Sequence, residues 1–199
     1  SQKIPHFTFC DTANARYLVQ IRNNLKSEAQ KRGLRLTYTP FFIRALSFCL
    51  KKFPQFNSSV DMEEGVVITH RPHNIGIAAK SPMGLIVPVI KNTEKMSLLG
   101  LAEKVTDLAE RARANNLKPD EVRNGTFTIT NHGVSGSLFA MPIINQPQTA
   151  ILGVGAIQKR VVVVTDESGA DMIAIRPMVY LTLTFDHRIL DGAIADYFL

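Results

Sequence analysis

Five histidines, His6, His70, His73, His132 and His187, are the residues whose side chains could move a proton near neutral pH. No pair of them has metal-ligand spacing with cysteine or carboxylate support, so no metal is expected. The chain has no GxSxG elbow and no HExxH pattern. His187 has the most informative surroundings. It follows the apolar run MVYLTLTF and lies inside Asp186-His187-Arg188-Ile189-Leu190-Asp191-Gly192. A strand there would hold the backbone rigidly and release the imidazole at its end. Asp191 could pair with an arginine and fix the loop, and Gly192 allows close backbone packing. These residue types leave two readings equally open: a general base, or a strand-end loop with its own salt bridge.

The elements that must carry this loop can be read from periodicity. Residues 11–32 fit an amphipathic helix with Asp11 as cap, Leu18, Ile21 and Leu25 on one face and Gly33 as stop. Residues 40–52 fit a second, capped by Thr39, whose Phe41, Phe42, Ile43, Leu46, Phe48 and Leu50 cover most of its circumference and predict deep burial. The runs 75–79 and 85–90 read as paired strands around Ser81-Pro82-Met83-Gly84, with Pro88 at an edge or bulge. A third helix is expected at 98–114 with Ser97 as cap. Strands are expected at 126–130, 149–155, 159–165, 172–176 and 178–185, with a hairpin turn at Glu167-Ser168-Gly169. Alternation in the last strand predicts one buried face, and a short helix starts near Asp191. The pattern describes an α/β fold, two layers with a mixed sheet and helices on one side. GxGxxG, a P-loop and repeated parallel βαβ units are all missing from the sequence, which argues against a Rossmann fold.

The 199 residues, 45% hydrophobic and 20% charged, suit one globular domain with a real core. No apolar run approaches the ~18 residues of a membrane span, and SQKIPHFTF does not read as a signal peptide. Cys10 and Cys49 make no disulfide framework, which favours a reducing compartment. Cys49 reads as a buried small residue and Cys10 as exposed. The net charge of +6 is scattered, with short clusters at Lys51-Lys52 and Lys159-Arg160. Nucleic-acid binding would rest on charge alone, with no basic stripe interleaved with aromatics, whereas a polyphosphorylated cofactor would suit the balance.

The segment Asp186–Gly192 resembles the DHRxxDG motif in the catalytic domain of 2-oxo acid dehydrogenase dihydrolipoyl acyltransferases; chloramphenicol acetyltransferase carries a related HxxxDG. The resemblance runs along nearly the whole chain. Ile4-Pro5-His6-Phe7-Thr8 looks like the family's opening strand, and Phe53-Pro54-Gln55-Phe56-Asn57-Ser58-Ser59 is similar to its FPxxNAS segment. His73–Ala78 with Gly84–Val89 is similar to its NIGIAV and GLIVPV strand pair. Thr126–Asn131, and Pro142–Asn145 through Ala150–Gly155, match further blocks.

The resemblance implies a chloramphenicol acetyltransferase-like fold and thioester exchange between coenzyme A and a dihydrolipoyl arm, with His187 as base and no acyl-enzyme. It implies Thr130 as oxyanion donor, Asp191 as a support, and Asn57, Ser58 and Ser59 near coenzyme A. It implies a homotrimer with sites between subunits, assembling into a cubic or dodecahedral core. Residues 1–199 would be one catalytic domain cut at both ends. The lipoyl group would sit on a separate domain of the full-length chain, and the dehydrogenase and dihydrolipoamide dehydrogenase subunits would bind through the absent domains. The compartment would be bacterial or archaeal cytoplasm, or the mitochondrial matrix, with no membrane partner. GSLFAMPIINQPQTAILG looks closer to succinyl- than to acetyl- or branched-chain enzymes. Two other readings are a non-catalytic core homologue, which would typically lose the histidine or hydroxyl, and a stand-alone small-molecule O-acetyltransferase.

Overall fold

The computed structural model describes residues 4–199; Ser1, Gln2 and Lys3, part of the opening read for a leader, lie outside the described residues. The chain begins with strand β1 (His6–Asn14), then α1 (Arg16–Lys31) and α2 (Thr39–Lys52). A hairpin of β2 (Ser58–Asp61) and β3 (Val66–Thr69) comes after them. The next segment holds β4 (Ile75–Ile77), β5 (Ala79–Ser81), β6 (Gly84–Ile86) and β7 (Val89–Ile90), before α3 (Leu98–Arg113). The remainder is β8 (Phe127–Asn131), β9 (Ala150–Val154), β10 (Gln158–Thr165), β11 (Asp171–Asp186) and α4 (Gly192–Phe198).

The main sheet runs β1-β11-β9-β8-β4-β7, with β10 also paired to β11. It is mixed: β4, β8 and β9 are mutually parallel and the other pairs antiparallel. Register sorts the side chains into two unlike faces. Ile77, Ile129, Leu152 and Leu183 are aligned across four strands. They join Phe127 and Phe185 against Ile43, Leu46 and Leu50 of α2, Leu101 and Leu108 of α3 and Phe198 of α4. Burying each large side chain contributes about 1.5–3 kcal/mol. The other face is small and polar, with Thr128, Gly153, Thr182 and Thr184 among its residues. The chain at 136–148 crosses this second face. Ala140 O accepts from Thr182 Oγ1 at 2.8 Å, and Gln148 Oε1 accepts from Thr128 Oγ1 at 2.6 Å. A Cβ on Gly155 would run into the Leu138 carbonyl, so glycine lets this crossing lie close.

Several expectations are corrected. The first helix does not begin at Asp11. Residues 6–14 pair with nine residues of β11, and α1 begins at Arg16, whose N–H donates to Asn14 Oδ1. Thr39 is the first residue of α2 rather than its cap, and its hydroxyl accepts from Asn131 Nδ2 at 3.1 Å. Phe48 and Ile21, both expected inside, are exposed; the Arg44 guanidinium lies 4.8 Å over the Phe48 ring. The two strands expected at 172–176 and 178–185 are one, continuous through Pro177, whose carbonyl accepts from Ala15 N–H. That strand is buried on both faces toward its end: Thr182 and Thr184 are 1% exposed, like Leu183 and Phe185 at 0%. Other expectations hold. Ser97 caps α3 by accepting from Gly100 N, Gly33 stops α1 at φ +70°, and β10 and β11 form the hairpin across Glu167-Ser168-Gly169.

Candidate active site

The end of β11 is built around Asp186, which is 0% exposed. Its N–H donates to Thr149 O at 2.8 Å, and its carbonyl accepts from the N–H groups of Ile189 and Leu190. Its carboxylate accepts from Arg188 N at 3.1 Å, Nε at 2.9 Å and Nη2 at 2.5 Å. This charge-assisted fork pushes the Arg188 guanidinium pKa up, with hydrogen bonding to Asp186 as the main cause. The turn therefore closes on a single residue, and His187 is left on the outside of it.

His187 is exposed, but its frame is fixed. Its N–H donates to Pro5 O at 3.1 Å. Its ring meets the Phe7 ring edge-on at 5.1 Å and the Phe185 ring at 5.7 Å. The geometry presents an imidazole to the outside on an apolar, aromatic base.

Asp191 does not pair with an arginine; that role belongs to Asp186. The turn folds residues 188–190 back over Asp186 and carries Asp191 on to the start of α4, where its Oδ1 accepts from Ile194 N at 2.9 Å. Sequence reasoning passed over Asp186 and Arg188 as a pair. The available signal was a carboxylate at a strand end with arginine two residues on.

Thr130 is half-buried near the end of β8. It lies opposite Gly153, which lies opposite Thr182, five residues before His187. Two strand spacings of ~4.8 Å and five rises of ~3.3 Å separate Thr130 and His187 by about 19 Å within one chain. No choice of rotamers brings a threonine hydroxyl to an imidazole over that distance.

Asn57 and Ser58 are both 0% exposed. Asn57 Nδ2 donates to His70 O and Pro72 O. Ser58 Oγ donates to Gln55 O and bonds Thr149 Oγ1 at 2.9 Å. Thr149 receives the Asp186 N–H, so this segment braces the strand end from behind. Ser59 is half-buried and bonds His70 Nε2 at 2.9 Å; burial lowers the His70 pKa. Among the described residues no group of three or more His, Cys, Asp or Glu could hold a metal ion, and no helix is long and apolar enough to cross a membrane. Cys10 is exposed and Cys49 half-buried.

The 2-oxoacid dehydrogenases acyltransferase (catalytic domain) family matches residues 1–199. The chain is 45% identical over 183 residues to the dihydrolipoyllysine-residue acetyltransferase component of the Mycobacterium bovis pyruvate dehydrogenase complex, covering 92% of this chain and 33% of that one. It is 42% identical to the succinyltransferase component of the Cupriavidus necator 2-oxoglutarate dehydrogenase complex, covering 93% and 43%. This chain thus spans about a third to under half of these relatives. Among solved structures, the cubic core of a pyruvate dehydrogenase multienzyme complex superposes with a TM-score of 0.92 at 36% identity, covering 99% and 79% of the two chains. Chloramphenicol acetyltransferase, at 12% identity and a TM-score of 0.57 over 98% and 85%, shares the fold.

Proposed function

The chain belongs to the family of 2-oxoacid dehydrogenase acyltransferase catalytic domains, and from that premise we propose that it exchanges an acyl group between coenzyme A and a dihydrolipoyl arm. The observation that carries this reading is His187, an outward-facing imidazole whose backbone and ring are both held in place. A thiol of pKa ~8.5 is mostly protonated at neutral pH, and a neutral histidine is a suitable base for it. His187 removes the proton of the attacking thiol. The thiolate adds to the carbonyl carbon of the other thioester and forms a tetrahedral oxyanion. Thr130 donates a hydrogen bond to that oxygen. Collapse breaks the original C–S bond, and the departing sulfur takes its proton from His187. Neither a metal nor an acyl-enzyme enters this cycle. Asp191 supports the site by starting α4, and Asp186 with Arg188 holds the turn. Among the three residues put near coenzyme A, Ser59 has the most accessible side chain.

Residues 1–199 form one catalytic domain in this reading, with the lipoyl group carried by another domain of the full-length chain. The compartment is the cytoplasm of a bacterium or archaeon, or the mitochondrial matrix. Mixing the purified protein with free dihydrolipoamide and acetyl-, succinyl- or isobutyryl-coenzyme A tests the reaction and ranks the acyl groups. One methylene is worth only about 1–3 kcal/mol in a pocket, so rates with all three are needed. Transfer to dihydrolipoamide is the expected result. No transfer with any donor would leave a non-catalytic core, and transfer only to an alcohol acceptor would indicate a stand-alone acetyltransferase.

The reading also requires a second copy of the chain, since Thr130 and His187 of one copy lie about 19 Å apart. A homotrimer with sites between subunits meets that need, and assembly into a cubic or dodecahedral core would follow the cubic core of the relative above. The β10–β11 hairpin supplies a surface for it. Val161 faces Ile175 and Val163 faces Ile173 across the ladder, and the four are 63–80% exposed. A two-stranded hairpin with an uncovered apolar face is marginal in water and prone to pairing. Val163→Asp with Ile173→Asp should shift the protein from trimer to monomer in light scattering, with loss of transfer. An unchanged trimer would assign the contact elsewhere.

A further inference from the structure

His6 is used by neither step of the reaction proposed above, yet both of its ring nitrogens are engaged. Nδ1 lies 2.9 Å from Ile4 O, and Nε2 lies 3.1 Å from Ile144 N. A carbonyl oxygen can only accept and a backbone N–H can only donate. The two contacts together therefore admit one form of the ring: neutral, with the proton on Nδ1 and a free lone pair on Nε2. An imidazolium has two donors and no acceptor, so it would turn an N–H toward the Ile144 N–H.

The position of this ring gives that constraint a consequence. His6 is the cross-strand partner of Asp186. Its neighbours hold the catalytic candidate directly, since Pro5 O accepts from His187 N–H and the Phe7 ring abuts the imidazole. Ile144, on the far side of the bond, is 4% exposed and belongs to the segment that crosses the second face of the sheet. That segment is tied elsewhere by Thr182 Oγ1 to Ala140 O and by Val60 N to Pro147 O. His6 is thus a side-chain link between the strand end bearing His187 and the crossing segment. Among nearby titratable groups, Asp186 is its cross-strand partner and is closed into a pair with Arg188, while the His187 ring packs on Phe7 and Phe185, the alternate positions of the two strands. Residues 142–148 contain no ionisable side chain.

We propose that His6 is a positioning residue that, as the neutral Nδ1–H tautomer, clamps residues 142–147 to the strand end carrying His187, and that protonating His6 opens the clamp. The inference rests on the acyl-transfer reading, and the experiment separates the two. The wild-type trimer is assayed first with acyl-coenzyme A and dihydrolipoamide; a silent wild type would defeat the reading itself. In an active wild type, the acid limb of kcat/KM should require the loss of two protons, one from His187 and one from His6. Glutamine offers a non-titrating acceptor and donor at the same place. His6→Gln should retain most of the activity at pH 8 and reduce the limb to one proton. His6→Ala should lower kcat about tenfold or more, because small displacements near a reacting group are costly, and with less effect on KM. An unchanged acid limb in an active His6→Gln protein overturns the proposal, as does normal kcat in His6→Ala. Should both variants misfold, the wild type still decides. Hydrogen exchange at the Ile144 amide, corrected for its intrinsic rate, should accelerate at least about tenfold as His6 gains its proton. Protection that stays constant through that titration refutes the clamp.

Discussion

His187→Ala is expected to lower turnover by about 100- to 10,000-fold, the usual contribution of a positioned general base. At ~1.36 kcal/mol per tenfold, this removes about 3–5 kcal/mol of transition-state stabilisation. The fold should survive. The side chain is exposed, and the contacts that shape the turn belong to Asp186 and to the His187 backbone. The losses are one edge contact to Phe7 and the contact to Phe185, a cost of about 0.5–1.5 kcal/mol for each such ring pair. Light scattering should report the same assembly as the parent, with a melting temperature lower by only several degrees. Turnover within threefold of the parent would remove His187 from the mechanism, whatever its geometry suggests.

Thr130→Ala is the second large effect. Losing one donor to a developing oxyanion typically costs about 100- to 1,000-fold in kcat. The donor acts on charge that exists only in the tetrahedral state, so the KM for coenzyme A should change little. Thr130→Ser should restore most of the rate by returning the hydroxyl. A loss confined to coenzyme A affinity would instead make Thr130 a binding contact. The two variants also test each other. If each site draws its histidine from one chain and its hydroxyl from the next, co-expressed His187→Ala and Thr130→Ala chains form some intact sites. Random mixing in a cyclic trimer gives about one site in four. Two variants acting within single chains would yield no recovery at all.

Much of this was legible in the sequence because it was written in local patterns. The run MVYLTLTF alternates like a strand, Asp191 precedes a short helical stretch, and Ser97 begins a periodic face with four residues inside, Leu101, Ala102, Leu108 and Ala112. The hairpin at 167–169 was marked by its glycine, which takes φ +85°. The candidate site was read from the same kind of signal. His187 stood out because a base at a strand end needs only the strand and the next few residues. Thr130, Asn57, Ser58 and Ser59 were reachable only through the family resemblance, as a threonine in a strand looks like any other β-branched residue.

Where local pattern and long-range pairing disagreed, pairing won. Asp11 is a good helix cap by residue type, but nine ladder positions against β11 outweigh one more helical turn. The polar Thr182 and Thr184 predict an open second face for β11. It is closed by residues 136–148, which are more than thirty positions away in sequence. The arginine partner went to Asp186 rather than Asp191 because the turn folds back on itself. Most elements, the apolar layer and the prominence of His187 follow from periodicity and residue type, which are properties of neighbours along the chain. Which carboxylate holds Arg188, what each ring nitrogen of His6 meets, and how far Thr130 lies from His187 come from the folded chain alone. Those facts depend on strand register and distance in space, which no spacing along one chain encodes.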